Sequence, residues 1–186
     1  MHSFTTERLL IRPLLEEDKA LFINLYTDAK VMRNISAPLS HEKAEKAFHN
    51  TLKIMKKPQP SIMTWVIVNL ADKKTIGIQG FSWPSIKSEQ LNGQKNTTAE
   101  IGIMLLRNSN GKLIPEEATT ALIEYAFNHL PIERINTFYA KENFSVAKLA
   151  QKLGFIFNKC KQPLDGKQCL QYIDKRNWGE TASTEL

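Results

Sequence analysis

The sequence predicts an α/β (α+β) fold in which helices cover the faces of a mixed β-sheet. Runs typical of strands and runs typical of helices follow one another in the order βααβββαβαβ, with one further strand at the end. The chain has 186 residues, 42% of them apolar, which is enough for one well-buried core and few for two. We therefore expect one domain over residues 1–178, followed by a frayed tail at 179–186.

The first third of the chain predicts one strand and two helices. The run RLLIRPL at 8–14 nearly alternates apolar and arginine positions, as a strand does, and Pro13 helps to end it. Residues 15–32 begin with acidic residues and continue with apolar residues at helical spacing. A second helix is predicted after Ser40, its expected N-cap, and should end before Pro58.

The middle of the chain predicts three strands and a long helix. Residues 63–70 and 75–83 are rich in β-branched and aromatic side chains and flank a short polar turn, which is typical of a hairpin. The polar stretch at 84–96 is either disordered or a loop beside a binding cleft. A strand at 97–105 then leads through a turn into a helix at 115–129.

The last third predicts a strand, a helix and a hairpin. The strand covers residues 134–140, and the helix covers 143–154 and is closed by Gly154. The final hairpin turns around Asp165 and Gly166.

Composition and charge limit the functions to be considered. The formal net charge of +6 suits an anionic ligand, but the basic residues are scattered along the chain. A nucleic-acid-binding domain ranks last, because aromatic and basic residues do not interleave and no recognition-helix pattern is present. The four histidines are isolated from the two cysteines, so no metal site is expected.

The same reading predicts a cytoplasmic protein without a membrane partner. No apolar run is long enough for a membrane span, and the N-terminus lacks the basic head and apolar run of a signal peptide. Cys160 and Cys169 form no C-x-x-C pair, which fits reduced thiols better than a disulfide scaffold.

A polar turn with one glycine stands directly before the helix at 115–129. It reads RNSNGKL, and two interpretations of it stay open. It either only connects two elements, or its backbone amides bind an anion. The second follows because the first N–H groups of a helix have no internal partners and the helix dipole adds to their attraction.

The chain resembles the GNAT acetyltransferases, and within them the ribosomal-protein N-terminal acetyltransferases. The resemblance rests on TERLLIRPL at the front, AEIGIML leading into GKLIPEEATTALIEYAFNHLPIERI, and ENFSVAKLAQKLGF near the end. It implies a mostly antiparallel sheet of about seven strands with about four helices and a V-shaped split between two parallel strands. The pantetheine of acetyl-CoA would pair with backbone in this split, and its diphosphate would bind at the polar turn.

The family's diphosphate turn reads Q/R-x-x-G-x-G/A, and the chain departs from it at two positions. Asn108 stands first, Gly111 in the middle and Leu113 last, and the branched side chain of Leu113 either turns away from the ligand or obstructs it. Arg107 beside the turn is a source of positive charge. The resemblance assigns acetyl-CoA binding to these residues: Ile103, Met104, Leu105, Asn108, Ser109, Asn110, Gly111, Lys112, Leu113 and Asn143.

Glu100 is the predicted catalytic base. Acetyl transfer requires a neutral amine, so a base must first remove a proton. The family often carries a glutamate at this strand position, and alternation places Glu100 on the face opposite Ile101, Ile103 and Leu105. The other interpretation is a strand carboxylate that pairs with a nearby lysine or arginine.

The proton donor to the leaving thiolate is less defined. The family motif N-x-x-S is matched by Asn143, but Ser145 stands one place before the serine slot, which Val146 occupies. Ser145 is therefore either catalytic or a helix cap, and Asn143 is equally a candidate N-cap. Tyr139 is a further possible donor, although an aromatic residue in a strand more often belongs to the core.

The resemblance implies an N-acetyltransferase that moves an acetyl group from acetyl-CoA to a primary amine, without a metal. The acceptor is a small-molecule amine or a protein or peptide N-terminus, and both a monomer and a homodimer stay open. The alternative is a GNAT-fold binding or regulatory module with weakened or lost CoA binding, because Asn108, Leu113 and Ser145 depart from the family's motifs.

Overall fold

The computed structural model describes residues 1–83, 97–109, 113–157 and 168–181, the last range with side chains up to Trp178. Eight strands are present in these ranges: β1 Phe4–Thr5, β2 Leu9–Pro13, β3 Ile62–Asn69, β4 Thr75–Ser82, β5 Thr98–Leu105, β6 Arg134–Ala140, β7 Ile156–Phe157 and β8 Gln168–Asp174. They form one sheet in the order β1-β2-β3-β4-β5-β6-β8-β7. All neighbours are antiparallel except β5 and β6. The predicted mixed, mostly antiparallel sheet is confirmed.

Six α-helices are described: α1 Lys19–Thr27, α2 Ala29–Met32, α3 His41–Met55, α4 Ile114–His129, α5 Phe144–Lys152 and α6 Lys175–Thr181. Two short 3-10 turns cover Glu16–Asp18 and Arg107–Ser109. Within the described ranges, every helix is too short or too polar to cross a membrane.

Several predicted element boundaries are confirmed by the local chemistry. Ser40 caps α3 with its hydroxyl oxygen, which accepts a 3.3 Å hydrogen bond from the backbone N–H of Lys43. Gly154 follows α5 with a positive φ of 78°, as a helix-closing glycine does. The two-residue strand β1 was not predicted, because so short a run carries no periodicity of its own.

The helix predicted over residues 15–32 is divided, which corrects that expectation. It consists of a 3-10 turn, α1 and α2, and the break lies at Asp28. Asp28 has extended backbone, and its carboxylate accepts hydrogen bonds from the N–H groups of Lys30 and Val31 at 2.7 and 3.2 Å. An aspartate in this geometry starts a new helix, which the apolar spacing alone does not reveal.

The C-terminal part follows the prediction with one change. β7 and β8 are antiparallel, as the predicted hairpin requires, while Asp165 and Gly166 lie outside the described residues. Helix α6 runs to Thr181, three residues into the predicted frayed tail. Its Trp178 ring lies 6.2 Å from that of Phe127 on α4, so tertiary packing anchors this helix. Residues 84–96 and 182–186 also lie outside the described residues.

Two apolar clusters cover the two faces of the sheet. One joins α4 and α5 to inward residues such as Trp65, Ile101 and Ile135. The other joins α1 and α3 to residues such as Val66, and Met104 packs against it. The predicted alternation along β5 is therefore confirmed, because Ile101 and Met104 contribute to opposite clusters.

The parallel strands β5 and β6 separate after a short stretch of pairing. They pair at Thr98 with Arg134, Ala99 with Ile135 and Glu100 with Asn136. Beyond that point β5 continues against β4 and β6 continues against β8. This divergence is the V-shaped split that the resemblance implies. We call the Glu100–Asn136 end of it the closed end.

Candidate active site

The split leaves one backbone edge of β5 unpaired. Residues 101–105 pair with β4, and none of them pairs with β6, a strand that is described in full. An unpaired strand edge offers N–H and C=O groups to an extended ligand. Ile103, Met104 and Leu105 lie here, with the Leu105 side chain buried and the other two partly buried, so their accessible groups are in the backbone.

Glu100 lies at the closed end of the split and is half-buried. Burial raises the pKa of its carboxyl above the ordinary glutamate value. Within the described residues no lysine or arginine forms an ion pair with it. The interpretation of Glu100 as a paired surface carboxylate therefore has no support in this part of the chain.

Open space adjoins Glu100 along the same face of β5. Gly102 is the next residue on that face, and a Cβ atom built on it would meet no heavy atom within 4 Å. The contrast is Gly80 on β4, where a Cβ would lie 2.1 Å from the backbone oxygen of Met63. Packing therefore requires glycine at Gly80 and does not require it at Gly102.

The polar turn is described at its two ends. Arg107–Ser109 forms a 3-10 turn, in which the N–H of Ser109 donates to Leu106 O at 2.9 Å, and Asn108 is exposed. Asn110, Gly111 and Lys112 lie outside the described residues, so their predicted contacts with the diphosphate stay predictions.

Leu113 has the backbone conformation that the family's small residue would have. Its φ and ψ are 63° and 13°, in the left-handed region, and it stands at the N-cap position of α4. Its side chain is 62% exposed and lines a hollow beside Thr6 and Arg8. Whether this side chain turns away from the diphosphate or obstructs it stays open, because residues 110–112 of the turn lie outside the described residues.

The first turn of α4 combines free amides with neutralised carboxylates. The first i→i−4 bond runs from the N–H of Glu117 to Leu113 O at 3.0 Å, so the amides of Ile114 and Glu116 precede it, and Pro115 has none. Glu116 pairs with Lys152 of α5. Glu117 pairs with Arg8. Because each carboxylate is balanced by a basic side chain, the positive N-terminal end of the helix dipole remains available to an anion.

Glu117 ties the start of α4 to the N-terminal strands. One of its oxygens accepts from Thr6 Oγ1 at 2.5 Å and from the N–H of Arg8 at 3.0 Å, and the other accepts from Arg8 Nε at 2.6 Å. Burial alone would raise the pKa of Glu117, and the bonds from Thr6 and Arg8 outweigh it, so the pKa lies below the ordinary value. This contact spans more than a hundred residues, and no pattern in the sequence predicts it.

The start of α5 decides between two predicted roles. Asn143 is the N-cap, and its Oδ1 accepts from the N–H of Val146 at 3.3 Å. Ser145 is the second residue of the helix and is exposed, so the expectation that it caps the helix is wrong. The Asn143 oxygen is used in the cap, which leaves its side-chain N–H groups for other partners.

Tyr139 is buried on the face of β6 opposite Asn136. It is 6% exposed, and burial, followed by the neighbouring Cys169, raises the pKa of its phenol. The phenol therefore keeps its proton at neutral pH. Asn136 pairs with Glu100, the predicted base. Tyr139 is three positions further along β6, about 10 Å, and on the other face, so the base and this donor lie on different faces and at different depths of the split.

Asn136 was missed by sequence reasoning. It is the parallel partner of Glu100, and its Oδ1 is buried and accepts no hydrogen bond within the described part of the chain. Only the β5–β6 register identifies it, since nothing in the run RINTFYA distinguishes this asparagine.

Comparison with known families decides the class of this protein. A family described as the acetyltransferase (GNAT) domain matches residues 8–156, which is most of the chain. This chain belongs to the GNAT family. It is an acetyl-CoA-dependent acetyltransferase, and GNAT enzymes transfer the acetyl group to an amine.

GNAT relatives agree in sequence and in fold. An uncharacterized N-acetyltransferase p20 from Bacillus licheniformis is 30% identical over 157 residues, which is 83% of each chain. A solved GNAT acetyltransferase from Bacillus anthracis is similar with a TM-score of 0.73 at 19% identity, covering 94% of this chain and 99% of that one.

Two further similar structures are of acetyltransferases that are named for their acceptors. A ribosomal-protein-S5-alanine acetyltransferase from Vibrio fischeri matches with a TM-score of 0.72 at 20% identity, covering 96% of this chain and 99% of its own. A spermidine N-acetyltransferase from Vibrio cholerae, in complex with CoA and spermine, matches with a TM-score of 0.72 at 19% identity, covering 93% and 99%. At these identities the likeness establishes the fold alone.

The residues present fit acetyl-CoA. The unpaired edge of β5 suits the amide groups of pantetheine, and the first amides of α4 suit a diphosphate. Leu113 at that helix start has left-handed backbone and is 62% exposed.

Proposed function

We propose that this GNAT protein is an N-acetyltransferase that moves the acetyl group of acetyl-CoA to a primary amine, with Glu100 as the base. One observation carries the proposal. A half-buried carboxyl without a described ion-pair partner stands where β5 and β6 diverge, beside an unpaired strand edge and beside the open space at Gly102. A carboxyl with a raised pKa binds a proton more readily at neutral pH than an ordinary glutamate does.

The chemistry needs three proton transfers. Glu100 removes a proton from the ammonium group, and the freed lone pair attacks the thioester carbonyl. The C–N bond forms, the nitrogen gives up a second proton to water, the C–S bond breaks, and CoA leaves as a thiolate that takes a proton. Tyr139 is the better supported donor to that thiolate, since its phenol is protonated and lies on the wall of the split, whereas Ser145 is exposed.

For the acceptor we propose the reacting group, a primary amine, and no particular molecule. Two of the similar structures are named for their acceptors, an alanine of ribosomal protein S5 in one and spermidine in the other. A peptide α-amine and a small polyamine share a primary amine, which is the group that Glu100 would deprotonate. We propose a primary amine of either kind as the substrate.

A binding module without turnover is the second candidate. It is favoured by Leu113, which stands where the family has glycine or alanine, and by Pro115, which removes one amide from the helix start. Direct titration separates the two functions. The transferase should bind acetyl-CoA with a micromolar Kd, about −8 kcal/mol of binding free energy, whereas a module that has lost the site should not bind it.

The base is tested by Glu100→Gln in an assay of CoA release with a panel of N-terminal peptides and polyamines. We expect kcat/KM to fall about 10²–10⁴-fold, because the amide cannot take a proton, while the Kd for acetyl-CoA stays the same. The matched control is Glu7→Gln, the same change at an exposed turn. Unchanged turnover in Glu100→Gln would show that another group is the base.

A further inference from the structure

Asn136 and Glu100 form a pair of hydrogen-bond acceptors at the closed end of the split. They are register partners in the parallel pair, so their side chains leave the sheet on the same face. Adjacent strands are about 4.8 Å apart, a gap that one donor group lying between the two side chains can bridge. The space beside Gly102 continues from this point on the same face.

The amide oxygen of Asn136 is left without a donor. Its Oδ1 is buried and unpartnered within the described residues, although the residue as a whole is partly accessible. A buried acceptor without a partner carries a desolvation cost, so each instance calls for a physical explanation. The other residues in this condition are Gln79, Thr119 and Gln171, and each is nearly fully buried, unlike Asn136.

Glu100 cannot supply that donor when it is ionised, because a carboxylate only accepts. Since the two side chains lie on the same face of adjacent strands, one group with at least two N–H or O–H bonds can satisfy both acceptors. The acceptor amine of the proposed reaction has this property, since an alkylammonium ion carries three N–H bonds.

We infer that Asn136 is a positioning and specificity residue, whose Oδ1 holds one N–H of the acceptor amine while Glu100 removes a proton from the same nitrogen. This inference rests on the proposed function. An N–H bond of R–NH3+ breaks, its proton forms an O–H bond on Glu100, and its electron pair stays on nitrogen as the lone pair. One of the two remaining N–H bonds donates to Asn136, which fixes the direction of that lone pair. Glu100 later returns its proton to water.

The test compares two probes that differ in the number of N–H bonds. Butylammonium has three, and N,N-dimethylbutylammonium has one, which can satisfy only one of the two acceptors. Their Kd values are measured by NMR titration with CoA present, for the wild type, Asn136→Leu and Asn136→Asp. We expect the wild type to prefer butylammonium by about tenfold or more, since hydrogen bonds to charged groups are worth at least that factor.

The variants separate hydrogen bonding from bulk. Asn136→Leu should lower the preference to within about twofold, because only Glu100 then remains as acceptor. Asn136→Asp keeps an oxygen at the same place and should keep the preference. The steric effect of the two methyl groups is common to all three proteins and cancels in the comparison. Asn128→Leu, the same change at an exposed position near the end of α4, is the matched control.

Binding is measured without turnover, so the result for Asn136 is independent of whether the protein transfers acetyl groups. If the wild type binds the probes with the expected preference but no amine is acetylated, the proposed function fails, and only the hydrogen bond from the bound amine to Asn136 stands. An unchanged preference in Asn136→Leu would overturn the inference and assign the buried oxygen to a water molecule. Absence of butylammonium binding to the wild type would overturn it as well.

Discussion

Leu113 holds a backbone conformation that suits glycine better than a branched residue. In the left-handed region a non-glycine side chain meets the following carbonyl, at a cost of about 1–2 kcal/mol. Most of its side chain is exposed, so little burial offsets that cost. The strain persists because the clamp between Glu117 and Arg8 and the packing of α4 fix the helix start.

Replacing Leu113 separates backbone strain from side-chain bulk. Leu113→Gly should raise the free energy of unfolding by up to about 1 kcal/mol, because the relief of left-handed strain outweighs the chain entropy that glycine adds to the unfolded state. Leu113→Ala keeps a Cβ and should not. If the side chain turns away from the diphosphate, the Kd for acetyl-CoA should stay within about threefold in both variants. Tighter binding in both would mean that the isobutyl group obstructs the diphosphate.

The raised pKa of Glu100 predicts the pH dependence of both activity and stability. The base acts when ionised, so kcat/KM should rise with pH along a limb that lies above the ordinary glutamate pKa of about 4.3. Burial favours the protonated form in the folded state. The Glu100 contribution to stability is therefore greatest below the unfolded pKa and falls as pH rises through the folded pKa.

Glu100→Gln should thus unfold at a higher temperature than the wild type at pH 7, and this advantage should shrink as the pH is lowered towards 4. Pairing a pH–rate profile with thermal unfolding at several pH values measures both effects. A variant less stable than the wild type at pH 7 would mean that the ionised carboxylate is satisfied in the fold.

At the scale of elements, α4 is placed by residues far from it in sequence. Its first turn is held by Thr6 and Arg8 through Glu117, and by Lys152 of α5 through Glu116. Its buried stripe then packs on β4 and β5 through residues such as Ala118 and Leu122. The apolar spacing predicted the helix and its stripe, but it carries no information about which strand receives the helix start.

Breaking the clamp should destabilise the protein and displace the diphosphate site. Glu117→Gln loses charge and sets an amide N–H group against the donors of Thr6 and Arg8, which should cost about 1–3 kcal/mol of unfolding free energy. Because the Glu117 pKa is lowered on folding, its contribution is present above the unfolded pKa and is lost as pH falls through the folded pKa. Chemical denaturation at pH 7 and at pH 3 measures this.

Glu124→Gln provides the control for Glu117→Gln, since it lies two turns further along the same helix and is exposed. The Kd for acetyl-CoA should rise in Glu117→Gln and stay constant in Glu124→Gln. Equal stabilities of the wild type and Glu117→Gln at pH 7 would show that the bonds from Thr6 and Arg8 to Glu117 do not stabilise the fold.

At the scale of the whole molecule, the two faces of the sheet carry different parts of the candidate site. The face with α1 and α3 carries Glu100, Asn136 and the space at Gly102, and the face with α4 and α5 carries the helix start and Tyr139. The split is the place where both faces meet. In the proposed reaction the amine would therefore approach the thioester carbonyl from the face of Glu100, and the leaving thiolate would take its proton from Tyr139 on the other face.

The sequence by itself determined most of the elements, and it predicted the residue types of the site. Period-two and helical apolar spacing located β2 to β6 and α3 to α5, and the glutamate before the polar turn followed from the resemblance, because these signals are local. The break at Asp28 and the strand β1 were missed, since each depends on a single side chain or on pairing with a neighbour.

Tertiary structure alone decided which residues meet. The β5–β6 register set Asn136 beside Glu100, the clamp joined Thr6 and Arg8 to Glu117, and Asn143 rather than Ser145 capped α5. The physical reason is that register and burial arise from contacts between residues far apart in the chain. A desolvated carboxyl and an orphaned amide oxygen exist only after those contacts close around them.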